Sequence, residues 1–590
     1  MSGNYDKFPS VSVPVTAADY AVEGWTAVGA ELRRRIERLG RAKTVVCVDF
    51  YHGVWEDEVV AALAAGMRTP GTSAPVVVLT KEANRGRDEV RAMLAREVGD
   101  DRVFGLLSHR VVDEFFDAAK VEELRARIAA VESGVVLVCG VAAAHVCRER
   151  ELLVYADMAR WEIQMRFRGG RLANWLDDNF GEDVLRLYKR AFFVDWRVLD
   201  RHKRALYDEI DYVLDTNAEV PRLMTGSAFR RGLEIAARRP FRVKPYFDPG
   251  VWGGQWMKEK FGLDPSKKNY AWSFDCVPEE NSLLFDVGGV VVETPAINLV
   301  FRHPHELLGE KVHARFGAEF PIRFDMLDTM RGGNLSLQCH PLTEYIQEQF
   351  GMHYTQDESY YLLDADSASD PHVFLGLKNN VDREEFAAAL RASATTGSFD
   401  AEKYVNAFPA KKHDHFLIPG GTVHCSGANC MVLEISATPY IFTFKMWDWG
   451  RLGLDGRPRP IHAERALANI HFDRDTDWVR KNLVGRVETL SETDGVKEER
   501  TGLHEREFIE TRRHWFTKPV RHDTGGGVNV LNLVEGEEAV VESPTGAFAP
   551  FRVHYAETFI IPAAVGEYVI RPAGEGASAL HGTIKASVRT

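Results

Sequence analysis

Gln338, His340, Glu358 and His424 are the residues of this chain best suited to do chemistry. They lie in Leu335-Ser336-Leu337-Gln338-Cys339-His340-Pro341, in Asp357-Glu358-Ser359-Tyr360-Tyr361 and in Pro419-Gly420-Gly421-Thr422-Val423-His424. Residues two apart on a strand point to one face, so Gln338 and His340 share a side. Glu358 follows after a turn, and His424 returns from a distant strand. Two imidazoles, a carboxylate and an amide oxygen make a nitrogen and oxygen donor set for Zn²⁺ or another divalent metal. With room left for water or sugar oxygens, such a site is open and of catalytic type. Taken singly, His340 also reads as a core histidine and Glu358 as a surface acid; it is the shared strand placement that joins the four. His353, five residues before Glu358, is a further candidate ligand or base.

The elements that must carry these residues begin near Phe241. Short strands, Gly and Pro turns, and alternation such as Asn334-Leu335-Ser336-Leu337-Gln338 predict an antiparallel barrel or sandwich. A helical insert is expected around Asp382 to Ala392. The stretch from Val528 to Thr590 has its own strand and turn rhythm and reads as a second barrel. Its Ala556-Glu557-Thr558-Phe559-Ile560-Ile561-Pro562-Ala563 echoes His413-Asp414-His415-Phe416-Leu417-Ile418-Pro419-Gly420, a sign of internal repetition. Glu488 to Glu499, polar and charged, reads as a linker.

The chain from about residue 20 to 215 has another texture. Strand-like runs (Thr44 to Phe50, Val76 to Leu79, Gly134 to Gly140, Leu152 to Tyr155) alternate with helical ones (Val28 to Leu39, Glu56 to Ala65, Val121 to Val131). That alternation predicts a parallel, doubly wound α/β sheet. At 590 residues the chain exceeds one ordinary core. Three domains are expected: an α/β domain over 1–225, a metal-binding barrel with its helical insert over 241–485, and a C-terminal β domain over 500–590. A net charge of −13 argues against a general nucleic-acid binder. No apolar run approaches membrane-spanning length, and the polar first residues do not resemble a signal peptide. Seven scattered cysteines without a CxxC pair suit a reduced, cytoplasmic setting.

From about Lys244 to Ile461 the chain resembles the type I mannose-6-phosphate isomerases, which are cupin-fold (jelly-roll) enzymes. Val243-Lys244-Pro245-Tyr246 and Val251-Trp252-Gly253-Gly254 resemble that family's opening; Glu306-Leu307-Leu308-Gly309 and Phe320-Pro321-Ile322 resemble its middle. The segment Leu335 to Pro341 is similar to its signature. Glu358 to Asp364, Gly376-Leu377-Lys378, Val381 to Phe386, Gly421-Thr422-Val423-His424, Leu433-Glu434-Ile435 and Trp447-Asp448-Trp449-Gly450-Arg451 follow in family order. The resemblance implies Zn²⁺ held by Gln338, His340, Glu358 and His424, and aldose–ketose isomerisation of a sugar phosphate through an enediol. It places Ser336 beside the phosphate or sugar. Where the family usually carries Lys two residues before the metal-binding Glu, this chain has Gln356; Leu342 and Thr343 follow His-Pro, and Lys445 stands in an Arg position. Lys445, Arg451 and His353 are then the candidates for handling charge and protons.

The N-terminal part is similar to the uridine-kinase type of P-loop fold through Val135 to Gly140 and Leu152 to Arg160. Such a kinase needs Gly-x4-Gly-Lys-Ser/Thr after its first strand. Here Asp49-Phe50-Tyr51-His52-Gly53-Val54-Trp55-Glu56 follows, with no phosphate-binding lysine. The resemblance therefore implies a degenerate kinase-like domain, with nucleotide sensing, dimerisation or substrate channelling open to it. Arg166, Arg168, Lys189, Arg190, Arg197, Arg201 and Lys203 read as solvated helix faces. The expected whole is a cytoplasmic metal-dependent isomerase of a small sugar phosphate, in which a homodimer is one expected arrangement. The alternative is a non-catalytic metal cupin that binds a sugar or sugar phosphate and regulates carbohydrate metabolism.

Overall fold

The computed structural model of the chain describes residues 3–68, 74–437, 440–574 and 579–589. The chain divides into two compact units. One comprises Ser10–Ala236 with Ser282–Arg302, and the other Met1–Pro9, Ala237–Asn281 and His303–Thr590. Among the described residues no helix is long and apolar enough to cross a membrane. All seven cysteines are free and buried.

The first unit is built on a seven-stranded sheet. Its parallel strands are β1 (Lys43–Phe50), β2 (Val76–Leu79), β3 (Gly134–Val141), β4 (Leu152–Asp157) and β5 (Tyr212–Asp215), in the order β2-β3-β1-β4-β5. Antiparallel β6 (Arg222–Thr225) and the short strand Ala21–Glu23 extend the β5 side. β1 and β4 are apolar almost throughout because both faces are covered, as parallel sheets require. The predicted helices form as Trp25–Leu39, Glu56–Gly66 and Ala118–Ala130. The hairpin Ser282–Val287/Val290–Pro295 and helix Ile297–Arg302 belong to this unit, although the sequence pattern runs them with the barrel.

The basic residues of this unit depart from the solvated faces expected. Arg166, Lys189, Arg190 and Lys203 are at most 6% exposed. Buried acids and carbonyls explain this. Lys203 pairs with Asp157 at 3.1 Å, Arg190 pairs with Asp177, and Lys189 donates to the carbonyl of Val98 at 2.8 Å. A charge leaves water only when it is paired or fully hydrogen-bonded.

The second unit carries two pairs of sheets. In the first barrel, a six-stranded sheet places β7 (Arg323–Asp328), β9 (Glu358–Ala365), β10 (His415–Ile418) and β12 (Cys430–Ser436) in the order β10-β9-β12-β7. A five-stranded sheet holds β8 (Leu337–Cys339) between β11 (His424–Ser426) and β13 (Phe444–Trp447). The architecture is consistent with a cupin-type domain. The helical insert forms as Arg383–Thr396, capped by the Asp382 carboxylate on the Glu385 amide.

A six-stranded and a four-stranded sheet follow, around a core that includes Phe516, Leu531, Val541, Phe559 and Tyr568. The stretch expected as a linker is instead the hairpin Glu488–Thr493/Val496–Gly502. Opposite charges face each other across it, with Glu488 opposite Arg500 and 3.1 Å from it, so a charged sequence makes a good ladder. The two echoing segments are also alike in shape. His413 and Ala556 both take positive φ (73° and 65°) just ahead of β10 and of the strand Thr558–Ile561.

Candidate metal centre

β8, β9 and β11 bring three side chains together between the two sheets. His340, Glu358 and His424 each offer one donor atom, all within 4.8 Å of one another. Glu358 Oε2 lies 3.1 Å from His340 Nε2, and Glu358 Oε1 lies 2.7 Å from His424 Nε2. All three side chains are fully buried.

The local sequence fixes their orientation. His340 follows the end of β8, and its Nδ1 donates to the Phe442 carbonyl at 2.9 Å. His424 opens β11, and its Nδ1 donates to the Thr422 carbonyl at 2.9 Å. A ring nitrogen facing a carbonyl must carry a proton, so Nε2 is the atom of each ring that can turn a lone pair to a cation. Neither His340 Nε2 nor Glu358 Oε1 has a hydrogen-bond partner. Gln338 lies opposite His424 in the ladder, and its side-chain nitrogen is 3.2 Å from His424 Nε2. A half-turn of that amide presents its oxygen instead, which would make it a fourth donor. The donor set therefore fits a divalent cation.

Electrostatics favour the charged carboxylate. Burial alone would raise the Glu358 carboxyl, but the two imidazoles outweigh it and hold the group far below the usual carboxylate range. Around it the trend reverses. Burial, reinforced by the charges of Glu358 and Asp325, pushes Glu434 well above its ordinary value. Burial also raises Asp325, to about 6, against the opposing charge of Arg323.

The remaining sequence candidates fall in several places. Ser336 is buried two residues before Gln338, and its hydroxyl lacks a partner. Lys445 stands directly opposite Gln338 on β13. Arg451 pairs with Asp448 at 2.5 Å and also donates to the Asp448 carbonyl. His353 is exposed, unlike the four proposed ligands.

Gln356 takes a place that its type alone did not suggest. Its amide nitrogen lies 3.3 Å from Glu358 Oε2 and 3.5 Å from Glu434 Oε1, and its oxygen accepts from the Phe442 amide at 3.0 Å. Asp325, Tyr360 and Glu434 were assigned no role from sequence. The readable signal was an acid inside an apolar strand, as in Phe324-Asp325-Met326-Leu327 and Val432-Leu433-Glu434-Ile435. From the side of Asp357, Ser359, Glu507 and Thr511, a narrow crevice reaches Glu358.

Residues 24–238 match a family described as a domain of unknown function, DUF8485. Over about two fifths of its length the chain is similar to sugar-phosphate isomerases. It is 28% identical over 230 residues to a mannose-6-phosphate isomerase of Streptococcus mutans serotype c, covering 39% of this chain and 66% of that protein. It is 24% identical over 232 residues to mannose-6-phosphate isomerase ManA of Bacillus subtilis, covering 39% and 68%. The chain thus spans about two thirds of the length of these relatives. Among solved structures, the mannose 6-phosphate isomerase of Bacillus subtilis matches with a TM-score of 0.47 at 16% identity, over 59% of this chain and 99% of that one. A holo, zinc-bound mannose 6-phosphate isomerase matches with a TM-score of 0.44 at 14% identity, over 60% of this chain and 100% of that one.

Proposed function

We propose that the first barrel is a zinc-dependent aldose–ketose isomerase acting on a sugar phosphate, of the mannose-6-phosphate isomerase type. One observation carries the reading: two histidines with Nδ1 pinned to backbone carbonyls turn their Nε2 atoms to one buried carboxylate. His340, Glu358 and His424 would hold the ion, with Gln338 as fourth ligand. The ion supplies electrostatic stabilisation of negative charge developing on the sugar oxygens.

The chain's own groups do the rest. The Gln356 amide ties Glu358 to Glu434 and keeps the two acids in register. Glu434, whose carboxyl burial pushes well above its ordinary value, is the group we assign to exchange a proton with neighbouring sugar carbons. Lys445, opposite Gln338, would meet substrate charge. The deciding assay follows mannose 6-phosphate to fructose 6-phosphate with and without chelator, alongside metal content. A metal-loaded protein that turns over no hexose or pentose phosphate would sink the reading.

A second reading is a non-catalytic metal cupin that binds a sugar and regulates carbohydrate use. It is favoured by Gln356, an amide that cannot transfer a proton yet contacts both acids. Ligand-induced thermal stabilisation without product would support it.

For the first unit we infer a kinase-like fold without a phosphate cradle. The order β2-β3-β1-β4-β5 supports this. So does the filling of its carboxyl edge, where ligands of such sheets bind. Asp49 accepts from the Ala144 amide and lies 2.8 Å from His202; Asp157 accepts from Asn298; Asp215 accepts from the Glu293 amide. ATP that shifts the unfolding temperature of the full chain would overturn this inference.

A further inference from the structure

The second barrel repeats the mouth of the first with its charges reversed. In the first, Glu358 pairs with Ile418 on β10 and Ser436 on β12, and Ser436 pairs with Arg323 on β7. In the second, β14 (Val496–Gly502), β15 (Ile509–Phe516), β16 (Asn529–Glu535) and β17 (His581–Val588) lie in the order β14-β15-β17-β16. There Asn529 pairs with Ile561 and Ser587, and Ser587 pairs with Glu510. Ile418 and Ile561 hold the same place in the two echoing segments, so Asn529 stands where the first barrel has Glu358. The next row is Tyr360, Glu434 and Asp325 in the first barrel and Leu531, Lys585 and Arg512 in the second. Two acids are exchanged for two cations.

The places of the metal ligands are closed in the second barrel. Gln338 faces His424 across the first barrel's ladder, and His522 faces Tyr568 in the second. The Tyr568 hydroxyl donates to Asn529 Oδ1 at 3.1 Å, and the His522 ring stacks on Tyr568 at 5.0 Å. Among the described residues no three imidazole, thiolate or carboxylate donors converge there.

What this mouth offers is positive charge. Arg500, Arg512 and Lys585 stand directly opposite one another on β14, β15 and β17. Like charges so placed repel. Two of them are balanced: Arg512 pairs with Glu498 at 3.0 Å and with Glu510, and Arg500 pairs with Glu488 and lies 3.8 Å from Glu510. Lys585 has no hydrogen bond or ion pair among the described residues. Glu498, Glu510 and Asp523 act on it only through space, and burial holds its ammonium below the ordinary value. Two imidazole nitrogens near it are unmet as well. His514 turns Nε2 to Glu498 at 3.3 Å and leaves Nδ1 without a partner, and His522 Nε2 has none. Native interiors satisfy nearly all such groups. The mouth is open to water, since the Arg512 side chain is 36% exposed and Lys585, Glu510 and Ser587 are half-buried.

These groups select a ligand class. A neutral hydroxyl would leave the lysine charge and the repulsion along its row unanswered, whereas an oxyanion relieves both. Phosphate also carries oxygens that accept and, when protonated, donate, which suits imidazoles of either tautomer. We propose that the mouth of the second barrel is an anion site that takes a phosphate group on Lys585, with Arg512 and His522 at its sides. The site stands apart from the metal centre and does not depend on the reading of the first barrel.

Calorimetry on the metal-loaded full chain, with inorganic phosphate and with glycerol phosphate, tests it. Binding is expected, and the tighter of the two shows whether the free ion or a monoester is the natural occupant. Lys585→Met, which keeps the length of the side chain, should weaken phosphate at least about tenfold. His522→Phe, which keeps the stack on Tyr568 and removes the ring nitrogens, should weaken it about threefold. Glu358→Gln, in the other barrel, should leave it unchanged. No binding of either anion overturns the proposal. So does affinity unaltered in both second-barrel variants, or binding that disappears in Glu358→Gln, which would assign the anion to the metal centre.

Discussion

The carboxyl edge of the first unit's sheet and the interior of the first barrel are both buried and rich in acids, and they are finished differently. At the sheet edge most acids meet groups of the same unit: Asp200 pairs with Arg160, Asp157 with Lys203, and Asp49 lies 2.8 Å from His202, with only its Oδ1 left unbonded. Tyr51 and Asn298 add hydrogen bonds to Asp200 and Asp157 at 2.8 Å each. In the barrel, Glu358 faces the Nε2 atoms of two imidazoles, and Asp325 Oδ1 and Ser336 Oγ have no hydrogen-bond partner. A network that closes on itself holds a fold together. A network left open to an outside charge is arranged for a ligand. The difference supports the reading of the barrel as the candidate site.

The contrast breaks first at the metal ligand. Glu358→Gln should lower metal affinity by on the order of 100-fold or more, since losing even an outer-shell partner costs up to that much. The fold should persist, because an amide in this position removes a charge that only the imidazoles and the ion require. Metal content after dialysis, read beside far-ultraviolet circular dichroism, checks both halves. Full metal retention would mean that Glu358 is a structural acid.

The opposite outcome is expected in the first unit. Asp200→Ala removes a carboxylate that pairs with Arg160, 2% exposed, and the acceptor of the Tyr51 hydroxyl. Breaking a buried pair from one side costs about 3–5 kcal/mol. Urea unfolding of this variant should show a loss of that size with metal content unaffected. A loss below about 1 kcal/mol, the value of an exposed pair, would show the edge network to be loosely hydrated.

Much of this arrangement was legible in the sequence, and the illegible part has a common cause. Strand-period alternation at Leu335 to Gln338 and the apolar runs of β1 and β3 gave both fold classes, because periodicity survives in sequence. The meeting of His340, Glu358 and His424 was legible because imidazole and carboxylate residues recur at strand positions. The wall of Tyr360, Glu434 and Asp325 was not, since it depends on the register of three strands far apart in the chain. For the same reason Arg166, Lys189 and Lys203 looked like solvated charges: their partners, Gly53, Val98 and Asp157, are 113, 91 and 46 residues away. Glu488 to Glu499 read as a linker because charge was taken for exposure, when cross-strand pairing was its use.

A smaller effect separates the two regions by pH. Burial, aided by the charge of Arg513, holds the His415 imidazole down at about 3, against an ordinary value of 6.5. A base whose folded value is depressed contributes stability that is fully present above 6.5 and is lost as pH falls toward 3. The barrel unit should therefore lose stability across that window as the unfolded chain takes up the proton. His415→Gln should flatten the urea-midpoint slope between pH 7.5 and pH 5. Equal slopes in the two proteins would assign the acid loss to other groups, with His504, lowered to about 4, the next to test.

The smallest expected effect supplies the control for the whole comparison. Arg391 and Glu464 pair at 2.7 Å, yet their side chains are 53% and 68% exposed. Water already solvates both charges, so neither depends on the other in the way that Arg160 depends on Asp200. Glu464→Ala should leave the unfolding midpoint and the metal content where they were, at low and at physiological salt. A clear loss of stability there would mean that distance between charges, not burial, sets the strength of ion pairs in this chain. The argument that separates a self-satisfied network from an open one would then lose its physical basis, since both regions were distinguished by what burial does to an unpaired charge.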